Sequence, residues 1–323
     1  MVRFGVIGAG AIAKKFAETV NAMGLDLYAI ASRSKGRAED YKARYGFEVA
    51  HEGYDALFED PNVDCVYIAT PHALHHAQMM RALDHGKHIL CEKPFTLNAE
   101  EAQEVFDKAQ EKGLFVMEAM KPRTMPVLLE LRNLVDEGVI GDIVRLQASF
   151  GSEEALEEGA RVLDPALGGG ALLDIGIYPI VIANMFLGVP ESIESQVVRH
   201  SSGLDLKERI TLHYPNAKAN LRASVDEAFH KNAVIYGTKG YIEIPHFTKV
   251  EVARITDASG GTLKTVRIPH ETTDFEHEIK ETVRCIEAGL TESPLNTHAM
   301  TLEVLRQMDA IRKDWNLAFP GEE

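Results

Sequence analysis

The chain has 323 residues, 45% hydrophobic and 26% charged, which is enough for two folded domains and excludes a long disordered chain. Its formal net charge of −15 excludes a general affinity for nucleic acid or anionic membrane, so an anionic ligand must be met by a local group of basic side chains or backbone N–H groups. The three cysteines, Cys65, Cys91 and Cys285, are odd in number and lack metal-ligand spacing, which fits a reducing compartment and no disulfide framework.

The first 120 residues alternate short apolar runs with amphipathic segments. Phe4–Ile7, Leu27–Ala31, Val66–Ala69, His88–Leu90 and Phe115–Met117 read as strands apolar on both faces, as in a buried parallel sheet. Ala11–Met23, Arg37–Tyr45, Ala73–His85 and Ala99–Lys112 carry apolar residues at helical spacing. This alternation predicts a doubly wound α/β domain over residues 1–120. A second domain is expected over 121–323. It opens with a helix at Leu128–Val135, ended by Gly138, and a half-exposed strand from Val144 to Phe150. An apolar helix is predicted at Ile180–Leu187. Alternating strands follow near Glu194–Arg199, Arg209–Tyr214, Ala219–Val225, Ala233–Tyr236, Tyr241–Ile244, Val250–Ile255 and Leu263–Ile268, with turns at Gly237–Gly240 and Ser259–Gly261. Helices return at Phe275–Ala288 and Met300–Trp315. The expected second domain is therefore α+β, an open, mainly antiparallel sheet with helices on one face and a C-terminal helix able to pack back on the first domain. The acidic run Glu153–Glu158 reads as a solvated loop. No apolar run approaches the roughly 20 residues of a membrane span. With a strand from Val2 to Ile7 in place of a signal region, and no lipidation pattern after Trp315, the expected location is the cytoplasm, with no membrane or nucleic-acid partner.

Gly8-Ala9-Gly10-Ala11-Ile12-Ala13 lies between the first strand and the first helix. This is the G-x-G-x-x-A form of the dinucleotide fingerprint. The first glycine permits the tight turn, the second lets the backbone approach a pyrophosphate, and Ala13 allows close helix–strand packing. The helix start then offers free N–H groups and a partial positive charge. The other reading of these residues is a tight turn with no ligand. With it, the N-terminal domain reads as a Rossmann domain. At the end of the second strand a carboxylate would favour NAD. The chain has Ser32-Arg33-Ser34 there, with Arg37 close behind. A guanidinium can pair with a 2′-phosphate, so NADP is expected in preference to NAD. The alternative is that Arg33 and Arg37 are solvated surface charges.

Gly8–Ala13, Thr70-Pro71 with His75, and Cys91-Glu92-Lys93-Pro94 together resemble the Gfo/Idh/MocA oxidoreductases, the family of glucose–fructose oxidoreductase and inositol dehydrogenase. Glu118-Ala119-Met120 with Arg123 and Pro126, and the run from Asp164 to Tyr178, resemble the branch of dimeric dihydrodiol dehydrogenases and NADP-dependent D-xylose dehydrogenases. The likeness extends over nearly the whole chain. It implies that Thr70 and Pro71 line the cofactor path with His75 below, and that Glu92, Lys93 and Pro94 lie beside the nicotinamide, with a cis peptide before Pro94. It also implies a catalytic Asp174 and Tyr178 and a homodimer through an exposed sheet face. Relatives that oxidise aromatic diols carry aromatic residues after the Glu-Ala pair. Here Lys121 and Thr124 make that wall polar and charged, which moves the expected substrate towards a sugar or polyol.

Oxidising an alcohol removes a hydride from carbon and a proton from oxygen; the cofactor takes the hydride, so the protein handles the proton. A free phenol, with a pKa of about 10, is a weak base at neutral pH, and a nearby ammonium strengthens it. Tyr178 with Lys93 is such a combination. The other reading makes Tyr178 a packing residue at a helix start marked by Pro179, Lys93 a loop lysine and Asp174 a helix-end carboxylate. Arg123 either meets substrate hydroxyls or forms an ion pair on a rim. His72, His75 and His76 lack a completing carboxylate or cysteine at suitable spacing, so no metal is expected. The leading reading is an NAD(P)-dependent oxidoreductase of a small sugar, polyol or related hydroxy or carbonyl compound. The alternatives are a non-catalytic dinucleotide-binding regulator and an enzyme that uses tightly held NAD in glycoside cleavage.

Overall fold

A computed structural model of the chain describes residues 1–153, 156, 157 and 159–322. Glu154, Ala155 and Glu158 of the acidic run lie outside the described residues. Two compact units form, one from Met1–Lys121 with His270–Leu302, the other from Pro122–Pro269 with Glu303–Glu323. The sequence pattern divided the chain once, between residues 120 and 121. The segment His270–Leu302 instead belongs to the first unit.

In the first unit the apolar runs become β1 (Arg3–Ile7), β2 (Asp26–Ser32), β3 (Val49–Glu52), β4 (Cys65–Ile68), β5 (His88–Glu92) and β6 (Val116–Ala119). They form a wholly parallel sheet in the order β3-β2-β1-β4-β5-β6. Helices α1 (Ala11–Ala22), α2 (Lys35–Tyr45), α3 (Asp55–Phe58), α4 (His75–Asp84) and α5 (Ala99–Lys112) connect the strands. The short β3 and α3 were missed because Val-Ala-His-Glu is too polar to stand out as a buried run. Ile7 pairs with Ala31 on one side and Ile68 on the other. The strand order reverses there, and ligands of open α/β sheets bind at the carboxyl edge beside such a reversal. The register brings Gly8, Ser32, Thr70 and Lys93 to that edge. The core runs through Phe4, Phe16, Ile30, Tyr67 and Leu90, and is completed by Phe275, Ile279 and Cys285 from the returning segment.

The second unit opens with α6 (Pro126–Asp136), whose first residue Pro126 supplies the fixed φ suited to a helix start. Next come β7 (Ile143–Gly151) and α7 (Ile177–Leu187). The remaining strands are β8 (Ser192–Arg199), β9 (Asp205–His213), β10 (Lys218–Ser224), β11 (Ala233–Gly237), β12 (Gly240–Ile244), β13 (Val252–Asp257) and β14 (Thr262–Arg267). They form an eight-stranded sheet in the order β14-β13-β12-β11-β7-β10-β9-β8. Only β7 and β10 run parallel; every other neighbouring pair is antiparallel. The period-2 pattern is visible in β7, where Leu146, Ala148 and Phe150 are buried and Arg145 and Gln147 are not. α7 lies against β7 and β10. Helices α8 (Glu276–Glu287) and α9 (His298–Asp314) follow the last strand.

Two expectations are revised here. The helix does not begin at Pro179. It is helical from Ala171 to Leu187, with a π turn over Leu172–Gly176. Proline removes one N–H and crowds the carbonyl four residues back, and a widened turn just before it absorbs that defect. The stretch Pro165–Leu187 is also long and apolar enough, by length and composition, to cross a membrane, although 83% of its most apolar window is buried inside the protein. That burial is the pattern of a core helix.

Candidate active site

The first unit supplies a ready anion site. Gly8 has φ +93°, and a Cβ on it would lie 2.6 Å from the Ala69 carbonyl oxygen, so both backbone and space require glycine. Gly10 caps α1 with an extended backbone and has nothing within 4 Å of where a Cβ would stand. Gly10, Ala11 and Ile12 are exposed, and the first turn of α1 carries no acidic residue. The loop therefore fits a pyrophosphate: free N–H groups, open approach and no opposing charge. At the end of β2, Ser32 is buried, whereas Arg33 and Arg37 are exposed. Ser34 caps α2 by accepting the Arg37 N–H at 3.5 Å, which sets both arginines around one helix start.

Further along the edge, the Thr70 hydroxyl donates to Gln78 Oε1 at 2.5 Å. His75 is completely buried. Its Nδ1 lies 3.0 Å from the Pro94 carbonyl and its Nε2 2.9 Å from the Thr70 carbonyl. Burial holds this imidazole below its ordinary pKa. His75, expected below the cofactor path, therefore has no surface to offer a ligand; it ties the Thr70 and Pro94 loops together. The Lys93–Pro94 peptide is cis. Lys93 is half-buried and follows Glu92, whose Oε1 accepts the Tyr67 hydroxyl. Burial pushes the Glu92 carboxyl up, while the Tyr67 hydrogen bond and Lys93 act against it.

Sequence reasoning missed the carboxyl groups around this point. Glu118 Oε1 accepts the Phe95 N–H and its Oε2 the Thr301 hydroxyl, each at 3.1 Å. Glu278 on α8 is 1% exposed, and burial, then Glu92, hold its carboxyl well above the usual range. The available signal was its place on the buried face of α8 with Ile279 and Thr282. Lys121 also differs from expectation. Its ammonium pairs with Asp274 and lies 4.5 Å above the Phe275 ring, so its charge is neutralised within the unit. Thr124, in the second unit, is buried.

In the second unit, Asp174 lies in the π turn, 9% exposed, and accepts Arg161 Nη2 at 2.8 Å. Tyr178 follows four residues on, 8% exposed, its ring 5.4 Å from that of Phe150. The turn is anchored from below. Asp205 accepts the Leu172 N–H at 2.6 Å, and Glu208 is packed so closely under Gly176 that a Cβ there would strike its carboxyl group. Glu208 is 1% exposed, and burial, with Asp205 adding to it, raises its pKa well above the usual range. π turns inside α-helices concentrate at functional sites, and this one holds Asp174 and ends two residues before Tyr178, the two residues that the family resemblance makes catalytic. Arg123 is 4% exposed and so does not stand on an open rim.

Residues 2–120 match the model of the oxidoreductase family with an NAD-binding Rossmann fold, and residues 128–243 match the GFO/IDH/MocA C-terminal domain. The chain is 32% identical to a trans-1,2-dihydrobenzene-1,2-diol dehydrogenase of Xenopus tropicalis over 98% of its own length and 99% of that protein. It is 31% identical to the scyllo-inositol 2-dehydrogenase (NADP(+)) IolU of Bacillus subtilis (strain 168), over the full length of both. The solved structure of KijD10, a 3-ketoreductase from Actinomadura kijaniata in complex with NADP and TDP-benzene, superposes with a TM-score of 0.86 at 31% identity, covering 97% of each chain. An open dinucleotide loop on a parallel sheet, followed by a mostly antiparallel sheet domain of matching sequence, makes this chain a member of the Gfo/Idh/MocA family of NAD(P)-dependent oxidoreductases.

Proposed function

We propose that the protein is an NADP-dependent dehydrogenase or reductase acting on a CH–OH or carbonyl group of a sugar, polyol or related small compound, in which Lys93 and Tyr178 handle the proton. The observation that carries this reading is that both an ammonium and a phenol are present, Lys93 at the sheet edge and Tyr178 beyond the Asp174 turn. A protein that only sensed a dinucleotide would need neither. The full-length likeness to a diol dehydrogenase, an inositol dehydrogenase and a ketoreductase supports the substrate class.

Gly8, Gly10, Ala11 and Ile12 would hold the pyrophosphate. Ser32, Arg33 and Arg37 would meet the 2′-phosphate end, and Thr70, Pro71, Glu92 and Lys93 would line the nicotinamide end. The cofactor's contribution is to accept or give the hydride. The chain's own task is to move one proton at the substrate oxygen and to hold that oxygen in place. Tyr178 takes the proton from the hydroxyl, Lys93 stabilises the negative charge that develops, and Asp174, fixed by Arg161, orients the turn. Arg123 contacts substrate hydroxyls. A screen of aldoses, polyols, dicarbonyls and diols, followed by nicotinamide absorbance with NADP and NADPH, tests the reading. Its failure across all classes with a cofactor-loaded protein would leave the regulator as the answer.

Cofactor choice gives a separate expectation. Arg33→Ala should weaken NADP by about 10–100-fold, the size of a lost hydrogen bond to a charged group, and leave NAD nearly unchanged. Equal losses in direct titrations would remove Arg33 from the 2′-phosphate. We also propose a homodimer, formed through the exposed face of the second unit's sheet. Sedimentation at micromolar concentration should show twice the chain mass; a monomer there would refute it.

A further inference from the structure

The residues leading into α8 bring two imidazoles and a carboxylate together, in a part of the first unit that the proton chemistry does not use. Glu276 opens α8 with its side chain 1% exposed. Its Oε1 accepts the Glu271 N–H at 2.9 Å, and its Oε2 accepts the N–H and hydroxyl of Thr272 at 2.6 and 2.7 Å. The carboxylate is therefore fixed from behind. His277 Nε2 lies 3.5 Å from Glu276 Oε1 and 3.1 Å from His270 Nδ1, and the donor atoms of all three residues lie within 4.8 Å of one another. The imidazole planes are inclined at 49°, so the ring nitrogens converge instead of the ring faces stacking.

Imidazole nitrogen and carboxylate oxygen are the donor types that hold a divalent transition ion of the zinc class. Bonds of about 2.0–2.1 Å to nitrogen and 2.0–2.2 Å to oxygen set tetrahedral neighbours roughly 3.3–3.5 Å apart. The two separations measured from His277 Nε2, 3.1 and 3.5 Å, lie close to that spacing. Hydrogen bonds that orient a ligating carboxylate from outside are themselves a regular part of metal sites.

We propose that His270, Glu276 and His277 form a binding site for one divalent transition ion of the zinc class, three protein donors with water completing the shell. The ion pins the loop that precedes α8 to the helix itself. Lys280 is the group that opposes it. Its ammonium lies 3.9 Å from Glu276 Oε1 and 2.7 Å from Glu271 Oε2, and its side chain is 43% exposed, free to swing away as the ion enters.

The test uses the full chain, stripped with a chelator and dialysed against zinc chloride, with the metal measured on both sides of the membrane. One saturable ion per chain is expected. His270→Gln and His277→Gln should each weaken it at least about tenfold, while Lys280→Met should tighten it several-fold because it removes a like charge about 4 Å from the site. Cobalt in place of zinc should give the visible absorption of a low-coordinate ion, lost in His277→Gln. Absence of saturable uptake, or uptake unchanged in both histidine variants, overturns the proposal. Should a histidine variant unfold by circular dichroism, Lys280→Met decides: tighter zinc binding upholds the site, and unchanged affinity refutes it. None of these readouts depends on catalysis.

Discussion

Tyr178→Phe is expected to yield a folded chain that still binds NADP but turns over its best substrate about 10²–10⁴-fold more slowly, the loss typical of a missing general acid–base. The substitution keeps the ring that packs 5.4 Å from Phe150 and removes only the hydroxyl. The Gly8–Ala13 loop belongs to the other unit and offers backbone N–H groups at the start of α1, so cofactor titrations should be unchanged. The pH dependence of oxidation separates a chemical role from a packing role. In the wild type the rate should climb with pH as the phenol loses its proton, and in Tyr178→Phe that limb should vanish. Near-normal turnover with the limb intact would make the tyrosine structural.

Lys93→Met should reduce turnover by a comparable factor, again about 10²–10⁴-fold. Methionine retains the length and apolar stem of lysine and removes the ammonium. Lys93 also acts on Glu92, drawing down a carboxyl pKa that burial pushes up, so its loss leaves Glu92 more readily protonated. The double variant Lys93→Met with Tyr178→Phe should lose less than the product of the two single effects, because residues that serve one proton act as a unit. Strictly multiplicative losses would mean that they serve different steps.

The first unit was largely legible because its strands are buried on both faces and its helices have one apolar stripe, the two periods that sequence displays most plainly. The alternating strands of the second sheet were legible for the same reason. What stayed hidden depends on tertiary context. Pro179 looks like a boundary in any linear reading, and only a widened turn against β9 and β10 lets the helix run through it. The His270–Leu302 segment has ordinary helical periodicity, which says that α8 has a buried face but not which sheet covers it. Lys121 read as a charged wall because its partner, Asp274, lies 153 positions away. Glu118, Glu208 and Glu278 are buried acids, and single-sequence patterning treats every glutamate as surface. His75 was found by its motif, but its contacts to the Thr70 and Pro94 carbonyls, which make it a tie between two loops, are set by the folded backbone and leave no periodic signal in the sequence.

The return of His270–Leu302 to the first unit has a consequence for how such a molecule can be divided or exchanged. Phe275, Ile279 and Cys285 stand in the same core as Phe4, Phe16 and Tyr67, so the dinucleotide-binding half is encoded in two separate stretches of chain. A cut after Lys121 does not release a module. It leaves one wall of the nucleotide-binding core unbuilt and its apolar surface open to water, a loss no loop adjustment can repair. Recombination between relatives at a single crossover would join a parallel sheet to a foreign packing helix. The lineage is therefore expected to inherit its two units together, and to change specificity by substitution within the interleaved chain more readily than by swapping halves.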